Sequence, residues 1–386
     1  MTIADPSPYA LPIAHGGPFF RFERRFHLED PRRIGRLIVL LWLVAWLPIV
    51  VLGIYDLVLG RSSPTVALYG VHVRALVIPL LLLAEQTLDR IVSPFASRLV
   101  LAGVVPDAHA PALERRVRFA RAARDSSLPE LAIAAIITVL TIYGVRGALP
   151  DEALRWLAPS LHGSVAAAHS SAWWWFVIVT QPLYLFLLIR FLFHWLLWAL
   201  VLVRLARLPL NLQVNHPDGA GGLAFLAEAL LPFRFVILAI GAALSASWAN
   251  EMIATGSTAA PFAVHFLRYV ALAVAIGVAP YLAFTPRLVD TKLVGAPPYW
   301  HLARGYVARF DQKWLKGDGG PDALGSADIQ SLADLGGAYQ AIVEMRTTPF
   351  TQRQLKQLVL IAILPVIPII LLAVPAAQLA RMLLRL

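Results

Sequence analysis

Two groups of residues in this chain have the types and spacings that chemistry would need. The first is the run Asn215-His216-Pro217-Asp218-Gly219-Ala220-Gly221-Gly222-Leu223. Pro217 fixes the backbone and Asp218 can cap a following helix. Gly219, Gly221 and Gly222 can turn backbone amides outward with no side chain over them. Amides presented that way at a helix N-terminus bind phosphate or carboxylate. The spacing is neither a dinucleotide fingerprint nor a phosphate loop followed by Lys-Ser/Thr. The same residues also suit a tight connection between two apolar segments. His216, Asp218, Gly219, Gly221 and Gly222 are therefore a candidate anion or junction site.

The second group is Glu85, Arg190 and His194, which lie in two different apolar runs. Arg190 and His194 are four apart and so share one helix face. Ionisable groups inside a bilayer are costly, which makes them default pointers to transport chemistry. The competing explanation is boundary anchoring, because all three are expected near one end of their spans, where long side chains reach headgroups. Arg74, Asp56 and Glu130 read as span-end residues in the same way. His72, His162, His169 and His265 lack a recognised metal spacing. No Ser, His and acid set sits in the context of a nucleophile elbow or a zincin helix. There is no cysteine, which excludes thiolate zinc, iron–sulfur and thiol nucleophile chemistry. The expectation is no enzyme, no catalytic residue, no metal and no cofactor.

The elements that must position these residues follow from composition. The chain of 386 residues is 59% hydrophobic and 15% charged, whereas soluble domains run at about 45–50% and about 25%. Long uncharged runs recur along its whole length, so the fold class expected is all-α, a polytopic transmembrane helix bundle of about six or seven spans. The spans are placed at Leu37 to Leu59, Val66 to Leu88, Leu128 to Ala148, Ala172 to about Val203, Leu231 to Trp248 and Val264 to Phe284. The final apolar run, Leu358 to Val374, contains Pro365 and Pro368 and reads as a seventh span or as a re-entrant hairpin turning between those prolines. Trp173, Trp174 and Trp175 are taken to mark one interface of the fourth span and Trp195 the other. On the fifth span, Gly241, Ser245 and Ala249 repeat every four residues, a ridge for close helix packing.

The expected organisation has a cytoplasmic N-terminal segment, 1–36, and a six-span membrane domain, 37–285, with cytoplasmic loops at 89–127 and 204–230. A cytoplasmic helical loop, 286–356, and a last span or hairpin with an amphipathic tail, 357–386, complete it. Arg21, Arg24, Arg25, Arg32, Arg33 and Arg36 precede the first span. The 89–127 loop is rich in arginine, with helical apolar spacing from Ala112 to Ala123, and reads as a basic helix lying on the inner surface. The excess of ten positive charges is therefore an orientation signal, which places these loops and the N-terminus inside. No nucleic acid partner is expected. In the last loop Ser326 is a candidate cap for a helix whose apolar positions Ile329, Leu332, Leu335, Tyr339, Ile342 and Val343 recur at three and four.

With His216-Pro217-Asp218-Gly219-Ala220-Gly221-Gly222-Leu223, then Asp328-Ile329-Gln330-Ser331-Leu332-Ala333-Asp334, then Met345-Arg346 and Pro349-Phe350, the chain resembles a group of bacterial polytopic inner-membrane proteins. The resemblance covers most of the chain. It implies a helical protein of the inner membrane and carries over no activity, ligand or catalytic residue.

The functional expectation is a non-enzymatic membrane platform whose cytoplasmic cap binds an anionic partner, such as a lipid headgroup, or a protein. The alternative is a transporter or channel for a small or lipid-like solute, with its pocket near Glu85, Arg190 and His194.

Overall fold

The computed structural model describes residues 8–14, 16–17, 21, 31–59, 69–145, 170–256, 258, 262–317 and 327–369. Several expectations lie outside the described residues: those on Arg24, Arg25, His162, His169, Ser326 and the tail beyond residue 369. All regular structure among the described residues is helical. The membrane helices are α1 (Pro31–Val58), α2 (Tyr69–Val92), α5 (Leu128–Val145), α6 (Ser171–Ala206), α7 (Leu230–Thr255) and α8 (Phe262–Leu282). Between them lie α3 (Phe95–Leu101) and α4 (Ala110–Asp125), and after them α9 (Thr285–Phe310), α10 (Ala327–Glu344) and α11 (Gln352–Ile363). Five helices are long and apolar enough to cross a membrane, and α5 makes a sixth when it is counted together with α4. Runs of Leu, Val, Ile, Ala and Phe supply the helices, since in hydrocarbon a helix satisfies its own backbone.

Three helices form the interior. The apolar windows of α2, α6 and α7 are 56%, 56% and 67% buried, whereas those of α1 and α8 are 17% and 6% buried and face outward. The contact of α7 with α2 is the most extensive, and α6 packs on α2, α4, α5 and α8. Close approach depends on missing side chains. A Cβ on Gly241 of α7 would stand 2.8 Å from the Tyr269 hydroxyl and 3.0 Å from Pro365. A Cβ on Gly277 of α8 would stand 2.9 Å from the Phe233 ring. Ser245 and Ala249, on the same ridge as Gly241, are both buried.

The segments 8–14 and 207–229, helices α3 and α4, and the α9–α10 pair gather at one end of the bundle, called here the loop end. Two expectations change at this level. Trp195 does not face an interface: it is buried, stacks on Phe233 at 4.5 Å and donates from Nε1 to the Ile276 carbonyl at 3.3 Å. Packing takes the indole because α6 is an interior helix, so Trp195 gives no depth marker. Helix α4 is bent 42° from α5, and its Ala110, Leu113, Val117 and Ala120 are buried, with α4 packed on α6. Finally, no reversal occurs between Pro365 and Pro368. Leu364–Val366 is a 3-10 turn and residues 367–369 are helical again. Leu358 approaches Gly277 near Phe233, and Pro365 approaches Gly241. Residues 358–369 therefore rise alongside α7 in the same direction.

Candidate functional site

In the glycine-rich turn the backbone amides do face inward on an anion, and the anion is Asp218 itself. Its Oδ1 accepts from the amides of Ala220 at 2.8 Å and Gly222 at 3.1 Å, and its Oδ2 from Ala224 at 2.9 Å. His216 Nδ1 lies 2.9 Å from Oδ1. Positive φ values of 65°, 64° and 96° at Gly219, Gly221 and Gly222 let the chain wrap around the carboxylate. Burial alone would raise the Asp218 carboxyl. The donations from Ala224, Ala220 and Gly222 and the adjacent His216 outweigh it and hold the group below its ordinary range.

The turn is also tied from outside. Arg346 donates its amide to the Gly219 carbonyl at 2.8 Å and its Nη2 to the Asp218 carbonyl at 2.8 Å. On the other side Gln213 donates to the Gly221 carbonyl at 3.4 Å and Asn211 to the Val104 carbonyl at 2.8 Å. A Cβ on Gly222 would sit 3.0 Å from Val104. Thus two of the segments that carry the sequence resemblance, 216–223 and 345–346, meet in space. The third segment is a joint as well. Asp328 accepts from Trp314 Nε1 at 3.1 Å and from Lys313 Nζ, and its carbonyl accepts from the Tyr306 hydroxyl at 2.9 Å. Hydrogen bonds from Lys313 and Trp314 hold its carboxyl below the ordinary range.

The second group also comes together. Arg190 Nε and His194 Nδ1 lie 3.1 Å and 3.0 Å from Glu85 Oε1, with all three side chains buried. Asp89, missed in the sequence because it falls where the span gives way to the loop, completes the layer one turn along α2. Its Oδ1 accepts from the Ala14 amide at 2.8 Å, and the Ala14 carbonyl accepts from Arg190 Nη2 at 3.4 Å. Leu11 and Ile13 are buried beside it, and the Leu11 amide donates to the Ser93 carbonyl at 2.9 Å. Arg121 of α4 donates to the carbonyls of Pro8, at 3.1 Å, and Ala10. Arg124 donates to that of Pro12. An acidic pair on α2 thus faces a basic pair on α6, and residues 8–14 close the loop end over them. The signal for Asp89 was its spacing of four from Glu85.

Arg74 is not at a headgroup. It is buried inside the bundle, donating to the Gly70 carbonyl at 2.9 Å and to Ser247 Oγ at 3.2 Å. Asp56 serves a helix start, accepting from the Ser171 amide at 2.9 Å. Among the described residues no group of three or more His, Asp and Glu is arranged to hold a metal ion.

The loop end also carries an antiparallel helix pair. Lys292 Nζ donates to the Val343 and Met345 carbonyls at 2.7 Å, and the Tyr306 and Asp328 contacts pin the far end. A groove of about 550 Å³ runs along this pair, with Trp300, Val307, Leu332, Leu335 and Tyr339 along it and Arg304 and Asp311 among its lining. Trp300 is 50% exposed. Comparison with known proteins finds no matching family model, no curated relative and no similar solved structure.

Proposed function

We propose that the protein is a non-enzymatic platform of the bacterial inner membrane, with its N-terminus and loop end in the cytoplasm, and that the α9–α10 pair is its docking arm for a protein partner. The observation that carries this reading is the groove between α9 and α10. Its apolar side chains, Trp300, Val307, Leu332 and Tyr339, stay open although the base of the arm is firmly fastened, and exposed apolar surface of that kind marks interaction sites. An amphipathic helix presenting apolar residues at three and four fits a groove between two antiparallel helices. The basic residues crowded at the loop end support the cytoplasmic orientation.

The test places a photo-crosslinking amino acid at Tyr339 and at Trp300 in cells. The expected result is a discrete adduct with another protein that disappears in Leu335→Glu. An adduct consisting only of a second copy of this chain, or no protein adduct at either position in a folded variant, would overturn the reading.

The transporter reading is favoured by a different observation, the buried layer of Glu85, Asp89, Arg190 and His194 beneath residues 8–14, with Arg74 deeper in the same bundle. In this reading the N-terminal segment is a plug at the inner mouth. Solute flux in reconstituted vesicles that is lost in Arg190→Ala supports it, and absence of flux for every small anion and cation tried counts against it.

A further inference from the structure

Arg115 and Arg116 sit in the first half of α4, and Arg204 and Arg207 at the C-terminal end of α6. The burial of Leu113 and Val117 where α4 meets α6 brings these two basic groups together. Arg116 is crowded by like charge, with the guanidinium groups of Arg115, Arg204 and Arg207 all close enough to repel it. Its Nη1 is buried and has no hydrogen-bond partner among the described residues. Of the neighbouring acids, Asp125 pairs with Arg124 at 2.7 Å, and Glu114 interacts electrostatically with Arg121.

The bland explanation is that these arginines serve the carbonyl end of α6. Two of its last carbonyls are taken by other donors, the Leu208 amide on Leu205 at 2.8 Å and Arg287 Nε on Ala206 at 3.4 Å. A cluster of cations where α4 packs on α6, one of them with a buried donor nitrogen that lacks a partner among the described residues, describes an anion seat. The oxygen-rich, multiply accepting phosphate group matches guanidinium donors best. Beside the seat, Phe119 is 48% exposed, and the Arg204 guanidinium lies 3.9 Å above its ring. An exposed aromatic next to paired arginines is the signature of the boundary between headgroups and acyl chains.

We propose that Arg115, Arg116, Arg204 and Arg207 seat the phosphate of an anionic phospholipid headgroup, with Phe119 resting among the acyl chains. The proposal rests on the inner-leaflet placement of the loop end and not on the α9–α10 groove, so partner crosslinking at Tyr339 and lipid binding here succeed or fail separately.

The experiment is native mass spectrometry of the full chain in detergent, titrated with phosphatidylglycerol, with phosphatidylcholine and with inorganic phosphate. One phosphatidylglycerol should be retained in preference to phosphatidylcholine. Affinity should fall roughly fivefold for each arginine removed, in Arg207→Gln and Arg116→Gln, while Arg118→Gln on the exposed face of α4 changes it little. Arg207 is exposed, so its variant should keep the unfolding midpoint of the parent and preserve the test if Arg116→Gln does not fold. Inorganic phosphate at millimolar concentration should not displace the lipid. Equal retention of phosphatidylcholine, or phosphatidylglycerol binding unchanged in a folded Arg207→Gln, overturns the site. Displacement by inorganic phosphate overturns the lipid as its occupant.

Discussion

Glu85 offers the sharpest test of how α2 and α6, two of the three interior helices, are joined. Its carboxylate stands between Arg190 and His194, whose side chains are 3% and 4% exposed, and is itself 9% exposed. Replacing it with alanine leaves the Arg190 charge in a dry interior, with the Ala14 carbonyl at 3.4 Å among the groups remaining to it. Removing one partner of a buried ion pair typically costs about 3–5 kcal/mol. Glu85→Ala should therefore lower the free energy of unfolding by about that amount, while the triple replacement Glu85→Leu, Arg190→Met, His194→Leu, which removes both charges together, should be neutral or stabilising by about 1–4 kcal/mol. The assay is reversible unfolding in mixed micelles titrated with sodium dodecyl sulfate and followed by tryptophan fluorescence. Because the chain has no cysteine, a Glu85→Cys probe reports solvent access without background. It should resist a water-soluble maleimide in the full chain and become reactive once residues 1–14 are removed. A cost for Glu85→Ala below about 1 kcal/mol, the size of a surface pair, or fast labelling in the full chain, would refute the reasoning that this layer is dry and sealed by residues 8–14.

Asp218→Ala should destabilise the cap by about 3 kcal/mol, since three amides lose a charged acceptor, seen as faster amide exchange at 216–224. As the Asp218 carboxyl is held below its ordinary value, its contribution is full above the unfolded carboxylate range near about pH 3.9 and is lost as pH falls through the lower folded value. The exchange protection of the turn should then survive at pH 5 and fail only in stronger acid, and Asp218→Asn should abolish that acid step. Gly241→Ala should cost about 1–3 kcal/mol through overpacking against Tyr269 and Pro365, measured by the same unfolding titration, and Tyr269→Phe should restore part of it. Thr351 and Gln354 form a reciprocal cap on α11, at 3.2 Å and 2.8 Å, so Thr351→Ala should cost about 1 kcal/mol by the same measure.

The helical class, the span positions and the loop helices were legible because long apolar runs and three-four spacing are local properties. What the sequence could not convey was which helix lies inside. Trp195 looked like a boundary residue because tryptophan favours both interfaces and interiors, and only the packing of α6 against Phe233 and Ile276 decides between them. Arg74 was read as a span-end anchor for the same reason, since its acceptors Gly70 and Ser247 are 4 and 173 residues away. The acidic pair was half legible. Glu85 stood out in an apolar run, whereas Asp89 was hidden at the run's end, and its partner is a backbone amide 75 residues distant.

The three motif segments show how such a chain divides its work. Each is a fastening: 216–223 closes on its own aspartate, 345–346 binds that turn from outside, and Asp328 locks the far end of the arm. A glycine-rich turn whose amides are satisfied internally is poorly suited to capturing a second anion, because an incoming phosphate would have to displace a carboxylate tethered in place. It is well suited to holding α9 at a fixed angle to the bundle: Gly221 lies against Leu288 and Met345, and Gly295 lies against Val214. On the docking role proposed for the groove, rigidity at the base lowers the entropy lost when a partner binds. With the amides of the turn satisfied by Asp218, the two sites proposed for ligands at the loop end lie elsewhere, in the arginines between α4 and α6 and in the apolar groove of the arm.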